Sequence, residues 1–166
     1  MSENNNVGED KSGATITFSL PAVSKVDGRL LTMDNNRILV VDDEPDLTQV
    51  STLALEYHGF KVDSFNDPQE ALSKFEPGLY DLVILDIKMP KMDGFELCIK
   101  IREKDLKVKI CFLTASEMYY EKFRKARSEF GRIIGEECFI QKPIKNEDLV
   151  KKLINIMSID ITTMSI

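Results

Sequence analysis

Two apolar runs of this sequence end in carboxylates. Residues 38–41 are followed by Asp42 and Asp43, and residues 82–85 are followed by Asp86. If the two runs are neighbouring parallel strands, the three carboxylates meet at one edge of a sheet. Two such charges about 5 Å apart repel by roughly 3 kcal/mol at an effective dielectric constant near 20, so the cluster needs a cation or a proton. Oxygen ligands in an incomplete shell indicate Mg²⁺ with coordinated water.

Two further apolar runs end in side chains that bind anions. Residues 110–113 precede Thr114, and residues 138–140 come just before Lys142. A hydroxyl and an ammonium at the same sheet edge can bind the oxygens of a phosphoryl group carried by one of the carboxylates. The four runs together therefore indicate phosphoryl chemistry that depends on a divalent cation.

The elements that must position these groups alternate between strand and helix patterns. This alternation predicts an α/β fold with a doubly wound sheet of about five parallel strands. A helix is predicted over 46–58, with Leu47, Val50 and Ala54 at the spacing of a buried face, followed by a strand over 61–65. Asp67 and Pro68 are typical of a helix start, and Phe75 closes that helix.

Two more helices follow from their apolar spacing. One begins after Gly94, and another is predicted over 146–157. Their inward residues are Leu97, Cys98 and Ile101 in the first, and Leu149, Leu153 and Ile156 in the second.

Composition narrows the class of protein. The chain has 166 residues, of which 43% are hydrophobic and 30% charged, as expected for one globular domain. A net charge of −6 and an isoelectric point near 4.9 argue against direct binding to nucleic acid. No apolar run is long enough to span a membrane, and no signal peptide opens the chain, so we expect a cytoplasmic protein.

The remaining reactive side chains have ordinary structural explanations. Cys98, Cys111 and Cys138 lack the spacing of metal ligands and are interpreted as core residues in a reducing compartment. His58, the only histidine, precedes Gly59 and is predicted to lie at the end of a helix.

The order of these motifs resembles the receiver domain of two-component response regulators. The resemblance is carried by residues 37–45, 86–94, 113–115 and 142–143. It implies a flavodoxin-like sheet with strand order 2-1-3-4-5, flanked by about five helices. It also implies a signalling switch that catalyses its own phosphorylation and dephosphorylation, rather than an enzyme with a separate substrate.

The resemblance assigns roles to the acidic residues. Asp86 corresponds to the phosphorylated residue, Asp43 to a direct ligand of Mg²⁺, and Asp42 to a ligand that acts partly through water. Asp86 and the backbone carbonyl of Lys88 complete the implied metal ligands.

The resemblance also implies how phosphorylation is sensed. Lys142 binds the phosphoryl group, with a cis bond to Pro143. The Thr114 hydroxyl moves to a phosphate oxygen, and Phe139 turns inward into the space it leaves. The alternative for Phe139 is a ring fixed in the core.

Two functions are consistent with these residues. In the first, the protein takes a phosphoryl group from a sensor histidine kinase and controls a separate protein effector. In the second, it is a phosphorelay receiver of a hybrid kinase and passes the phosphoryl group to a histidine phosphotransfer partner. A receiver that acts as a scaffold without phosphorylation is disfavoured by the intact set of site residues.

The predicted receiver covers 37–157, between an N-terminal extension over 1–36 and a tail over 158–166. The extension is predicted to be partly disordered, with a short strand at 14–20 that resembles the closing strand of histidine-kinase ATP-binding domains or else belongs to a linker. The segment over 115–137 is longer than the family usually has. It is rich in basic residues and forms either a solvated helix face or a contact to an acidic partner. A homodimer through the fourth helix, fifth strand and fifth helix is a further expectation.

Overall fold

The fold is described by a computed structural model, which defines residues 23–26, 29–32, 36–115, 118–119, 121 and 138–158. Five parallel strands form its main sheet: β3 (Arg37–Val41), β4 (Lys61–Phe65), β5 (Leu82–Asp86), β6 (Lys109–Thr114) and β7 (Phe139–Gln141). Their spatial order is β4-β3-β5-β6-β7. Numbered within this sheet, the order is 2-1-3-4-5, which confirms the predicted fold class.

Four helices are defined within the described residues: α1 (Pro45–Tyr57), α2 (Pro68–Lys74), α3 (Gly94–Lys104) and α4 (Asn146–Ser158). Met118, Tyr119 and Glu121 also have helical backbone. The rest of the basic segment lies outside the described residues. The same is true of the predicted strand at 14–20 and of the predicted disorder in most of the extension.

The sheet carries a hydrophobic core on each face because its central strands are apolar on both sides. Leu39, Val83 and Phe112 face a core that includes residues of α2 and α3. The alternate residues Val40 and Ile84, together with others of β3, β5 and β6, face a core shared with α1 and α4. This two-sided burial confirms the doubly wound arrangement.

Helix α1 corrects one prediction about the core. Leu47 and Val50, expected on the buried face, are 40% and 51% exposed, whereas Leu55 is fully buried and Thr48 is 4% exposed. The helix buries the face that carries Thr48 and Leu55, which is rotated by one residue from the predicted face. The buried face was missed in the sequence because Thr48 is polar.

The other helix predictions agree with the structure. Asp67 accepts hydrogen bonds from the backbone N–H groups of Gln69 and Glu70, which makes it the N-cap of α2. The predicted inward residues of α3 and α4 are all buried. His58 follows α1, and its Nδ1 lies 2.8 Å from the carbonyl oxygen of Ala54.

A two-stranded antiparallel ribbon precedes the main sheet and was not predicted. It consists of β1 (Val23–Val26) and β2 (Arg29–Thr32), paired in register from Val23 with Thr32 to Val26 with Arg29. The sequence signal that was missed is Asp27-Gly28, a dipeptide favoured in two-residue hairpin turns.

Candidate functional site

Three carboxylates converge at the carboxyl edge of the sheet. Asp42 follows β3 directly, Asp43 comes next, and Asp86 is the last residue of β5, the neighbour of β3. Each offers an oxygen within 4.8 Å of the oxygens of the other two. Asp42 and Asp86 are buried. The predicted cluster therefore forms, because parallel pairing brings the ends of adjacent strands together.

A lysine reaches the same cluster from the edge strand. Lys142 follows β7, and its Nζ donates to Asp42 Oδ2 at 2.6 Å and to Asp86 Oδ1 at 3.1 Å. Its backbone N–H donates to the carbonyl oxygen of Thr114 at 2.8 Å. The peptide bond between Lys142 and Pro143 is cis, as predicted.

Burial and charge alter the ionisation of both partners. Burial raises the pKa of the Asp86 carboxyl above its ordinary value, Lys142 opposes the rise, and Asp42 and Asp43 add to it. Burial lowers the pKa of Lys142, but its hydrogen bonds and its attraction to Asp42 and Asp86 outweigh that effect and leave the pKa raised. Lys142 is therefore kept in its positively charged form. The ionised form of Asp86 is disfavoured by its burial and by the neighbouring carboxylates.

The donor set fits a hard divalent cation. Three carboxylates and one ammonium leave a formal charge of −2 when all are ionised. A divalent ion bound by oxygen ligands would neutralise that charge, and Mg²⁺ usually binds through one or two carboxylates with water completing its shell. Asp42, Asp43 and Asp86 are the residues that would hold it.

Thr114 and Phe139 lie in the adjacent strands β6 and β7, on the side of β5 away from β3. Thr114 ends β6 and is buried. The Phe139 ring is also buried, with its centroid 4.9 Å from that of Phe112 and 6.5 Å from that of Phe95. The aromatic ring is therefore directed inward in this structure, which is the orientation expected after switching and also that of a fixed core residue.

The loop between β5 and α3 has a strained backbone position and an ionic anchor. Lys91 has a positive φ of 68°, and its Nζ contacts Asp67 Oδ2 at 2.7 Å. The side chain of Lys88 is exposed. The proposed coordination by the Lys88 carbonyl stays a prediction.

Sequence reasoning missed three residues that support the site. A Cβ atom on Gly94 would lie 2.3 Å from the carbonyl oxygen of Asp86, so only glycine allows α3 to begin this close to the end of β5. Thr48 and Asn66 both bond to the backbone carbonyl of Asp42. Only the folded arrangement reveals these contacts, since the residue types by themselves are common in helix starts and loops.

Comparison with known proteins identifies the family. Residues 38–154 match the family model described as the response regulator receiver domain. The chain belongs to this family. Receiver domains are the phosphorylation-dependent switches of two-component signalling, and they take the phosphoryl group from histidine kinases.

Curated relatives of this receiver domain are longer proteins. It is 35% identical over 138 residues to the transcriptional regulatory protein TrcR of Mycobacterium tuberculosis, covering 83% of this chain and 49% of TrcR. It is 34% identical over 115 residues to the alkaline phosphatase synthesis transcriptional regulatory protein PhoP of Bacillus subtilis, covering 69% of this chain and 45% of PhoP. The chain thus spans about half the length of these relatives.

Solved receiver domains share the fold. The non-phosphorylated HemR receiver domain of Leptospira biflexa is 30% identical with a TM-score of 0.65, covering 75% of this chain and 96% of that one. The response regulator TrrA of Thermotoga maritima, solved in complex with Mg²⁺ and BeF, is 36% identical with a TM-score of 0.61, covering 73% and 98%.

Two cysteines outside the acidic cluster have structural roles. Cys98 and Cys111 are buried, as predicted, and burial raises the pKa of Cys98 to about 11, which keeps it as a thiol.

None of the helices in the described part of the chain combines the length and apolarity needed to cross a membrane.

Proposed function

We propose that this receiver domain accepts a phosphoryl group from a sensor histidine kinase onto Asp86, in a reaction that requires Mg²⁺, and thereby controls a separate effector protein. The observation that carries the proposal is the meeting of Asp42, Asp43 and Asp86 with Lys142 in one pocket. A cluster of carboxylates that repel one another is typical of a functional site. Here the carboxylates can bind a cation, and one of them can carry a phosphoryl group.

Each residue of the pocket has a distinct role in the proposal. Asp43 is the direct metal ligand, Asp42 acts partly through water, and Asp86 and the Lys88 carbonyl complete the protein ligands. When bound, Mg²⁺ supplies positive charge that offsets the charge of the phosphoryl oxygens.

The transfer itself exchanges one phosphorus bond for another. A carboxylate oxygen of Asp86 forms a bond to phosphorus while the bond from phosphorus to the donor imidazole nitrogen breaks, and the released imidazole takes up a proton. Lys142, already hydrogen-bonded to Asp86, is placed to donate to a phosphoryl oxygen. Water later attacks the phosphorus of the acyl phosphate and regenerates the Asp86 carboxylate.

Phosphorylation is transmitted through Thr114 and Phe139. The Thr114 hydroxyl donates to a phosphoryl oxygen, and Phe139, in the adjacent strand, senses the space that Thr114 vacates. The Phe139 ring already points inward in this structure. We therefore expect phosphorylation to change the stability of the inward orientation rather than to create a new orientation. The surface that includes β7 and α4 is proposed to bind the effector or a second copy of the chain.

Incubation with acetyl phosphate and Mg²⁺ tests the proposal, with intact mass and sizing chromatography as readouts. The wild-type protein should gain the mass of one phosphoryl group, and Asp86→Asn should gain none while remaining folded. Asp81→Asn is the matched control, because Asp81 lies just before the same strand at its opposite end. Undiminished labelling of Asp86→Asn would refute the assignment, and an unchanged elution volume on phosphorylation would exclude the dimer.

A further inference from the structure

The peptide that joins Asp42 to Asp43 is held by two side chains from different elements. The backbone carbonyl of Asp42 accepts a hydrogen bond from Asn66 Nδ2 at 2.7 Å and another from Thr48 Oγ1 at 3.1 Å. Asn66 follows β4, and Thr48 lies in the first turn of α1. The carbonyl therefore connects the end of β3 to α1 and to the end of β4.

The two side chains also bond to each other, which makes the arrangement a closed network. Asn66 Nδ2 has two hydrogens; one is directed to the Asp42 carbonyl and the other to Thr48 Oγ1, 2.8 Å away. Thr48 Oγ1 also lies 2.9 Å from the carbonyl oxygen of Glu44, so its single hydrogen is shared between the Asp42 and Glu44 carbonyls. Thr48 is 4% exposed, so its bond to the Asp42 carbonyl is buried, whereas the bonds of Asn66 are only partly shielded from water.

Neither side chain belongs to the acidic cluster. Asp42, Asp43 and Asp86 supply the cluster oxygens, whereas the bonds of Thr48 and Asn66 to this turn go to the backbone carbonyls of Asp42 and Glu44. The orientation of the peptide between Asp42 and Asp43 sets the directions in which both carboxylates leave the backbone. A group that fixes this peptide therefore fixes the separation of two proposed metal ligands.

We propose that Thr48 and Asn66 are positioning residues that hold the Asp42–Asp43 peptide in the orientation needed to bind a divalent cation. The inference rests on the proposed function, in which these carboxylates are ligands of Mg²⁺. Removal of either donor lets the peptide rotate, and cation binding must then include the free energy of restoring its orientation.

A purely structural role makes a different prediction. If Thr48 only stabilises the first turn of α1 through Glu44, its loss lowers the stability of the fold and leaves the affinity of the folded protein for Mg²⁺ unchanged. The two roles are separated by measuring unfolding in urea and the dissociation constant for Mg²⁺ on the same variants.

The chain contains a matched control for the loss of the Thr48 hydroxyl. Thr52 lies one turn further along α1, and its buried hydroxyl has no hydrogen-bond partner among the described residues. Thr48→Val and Thr52→Val make the same chemical change in the same helix. Only the first removes bonds to the Asp42 carbonyl and to Asn66.

Calorimetric titration with Mg²⁺ alone provides the test. Thr48→Val and Asn66→Ala should each weaken binding by roughly tenfold, whereas Thr52→Val and Thr48→Ser should bind like the wild type. The double variant should lose less than the product of the two single effects, since both donors act on one carbonyl. Asn66 is exposed, so Asn66→Ala still gives a result if Thr48→Val does not fold.

The outcomes separate this inference from the proposed function. If Thr48→Val and Asn66→Ala bind Mg²⁺ as tightly as the wild type while Asp43→Ala does not, the positioning role is wrong and the metal site stands. If the wild type itself neither binds Mg²⁺ nor accepts phosphate on Asp86, the proposed function fails and the inference fails with it.

Discussion

At the scale of single residues, the fold disfavours the ionised form of Asp86. Burial and the adjacent Asp42 and Asp43 raise its pKa, and Lys142 only partly compensates. The native protein therefore binds the Asp86 proton more tightly than the unfolded chain does. It follows that the stability contributed by this group in the absence of metal is present at acid pH and is lost as pH rises above about 4.

The variant Asp86→Asn tests this cost. Without metal at pH 7, its free energy of unfolding should exceed that of the wild type, because a buried charge has been removed. The difference should shrink as pH is lowered, because the raised pKa lets the folded wild-type carboxyl take up a proton before the unfolded chain does. Urea denaturation at several pH values measures both effects, and a less stable Asn variant at pH 7 would contradict the assigned direction.

At the scale of elements, the contact between α3 and β5 depends on the absence of a side chain at Gly94. Gly94→Ala would place Cβ 2.3 Å from the Asp86 carbonyl oxygen, so α3 or the end of β5 must move. We expect a loss of about 2 to 3 kcal/mol in unfolding free energy, together with a loss of phosphorylation by acetyl phosphate.

Gly78→Ala is the control for Gly94→Ala. Gly78 has a φ of +77°, and a Cβ atom at this position would have no neighbouring atom within 4 Å, so only backbone strain of about 1 kcal/mol opposes the change. Phosphorylation should survive in this variant. Equal labelling of the two alanine variants would show that the approach of α3 to Asp86 does not control the site.

The corrected face of α1 leads to a second prediction at this scale. Leu55→Ala should lower the free energy of unfolding by about 2 to 5 kcal/mol because it opens a cavity in a fully buried position. Val50→Ala should change it by less than about 0.5 kcal/mol because the side chain is half exposed. Thermal and urea unfolding of both variants measure the difference, and the reverse order would restore the helix face first predicted from spacing.

At the scale of the whole molecule, metal binding and folding are linked. The three carboxylates come from segments more than 40 residues apart and meet only in the native state. A Mg²⁺ ion held by these carboxylates, as proposed, would bind the folded chain in preference to the unfolded one and stabilise the entire domain.

A thermal shift measures this linkage. At a Mg²⁺ concentration 100 times its dissociation constant, the free energy of unfolding should rise by about 2.7 kcal/mol. Asp43→Ala should show little of this gain, and a chelator should abolish it in the wild type. An equal gain in both proteins would place the metal elsewhere.

The sequence alone determined the fold class and most of the candidate site. Asp42, Asp43, Asp86, Thr114 and Lys142 lie at or just after the ends of four apolar runs, and the hydrogen bonding of parallel strands leaves little freedom in where strand ends meet. The strand order came instead from the resemblance to receiver domains, which four separate motifs support. The N-cap at Asp67 was also predictable, because capping is a local interaction.

Only the tertiary structure decided the features that depend on contacts between distant segments. The buried face of α1 was misjudged because spacing does not distinguish an inward Thr48 from an outward Leu47 until the helix is packed against the sheet. The inward position of Phe139 and the network of Thr48 and Asn66 likewise follow from side chains that meet across elements. Local patterns determine elements, whereas the placement of a carbonyl or ring within a fraction of an ångström is set by packing among many elements at once.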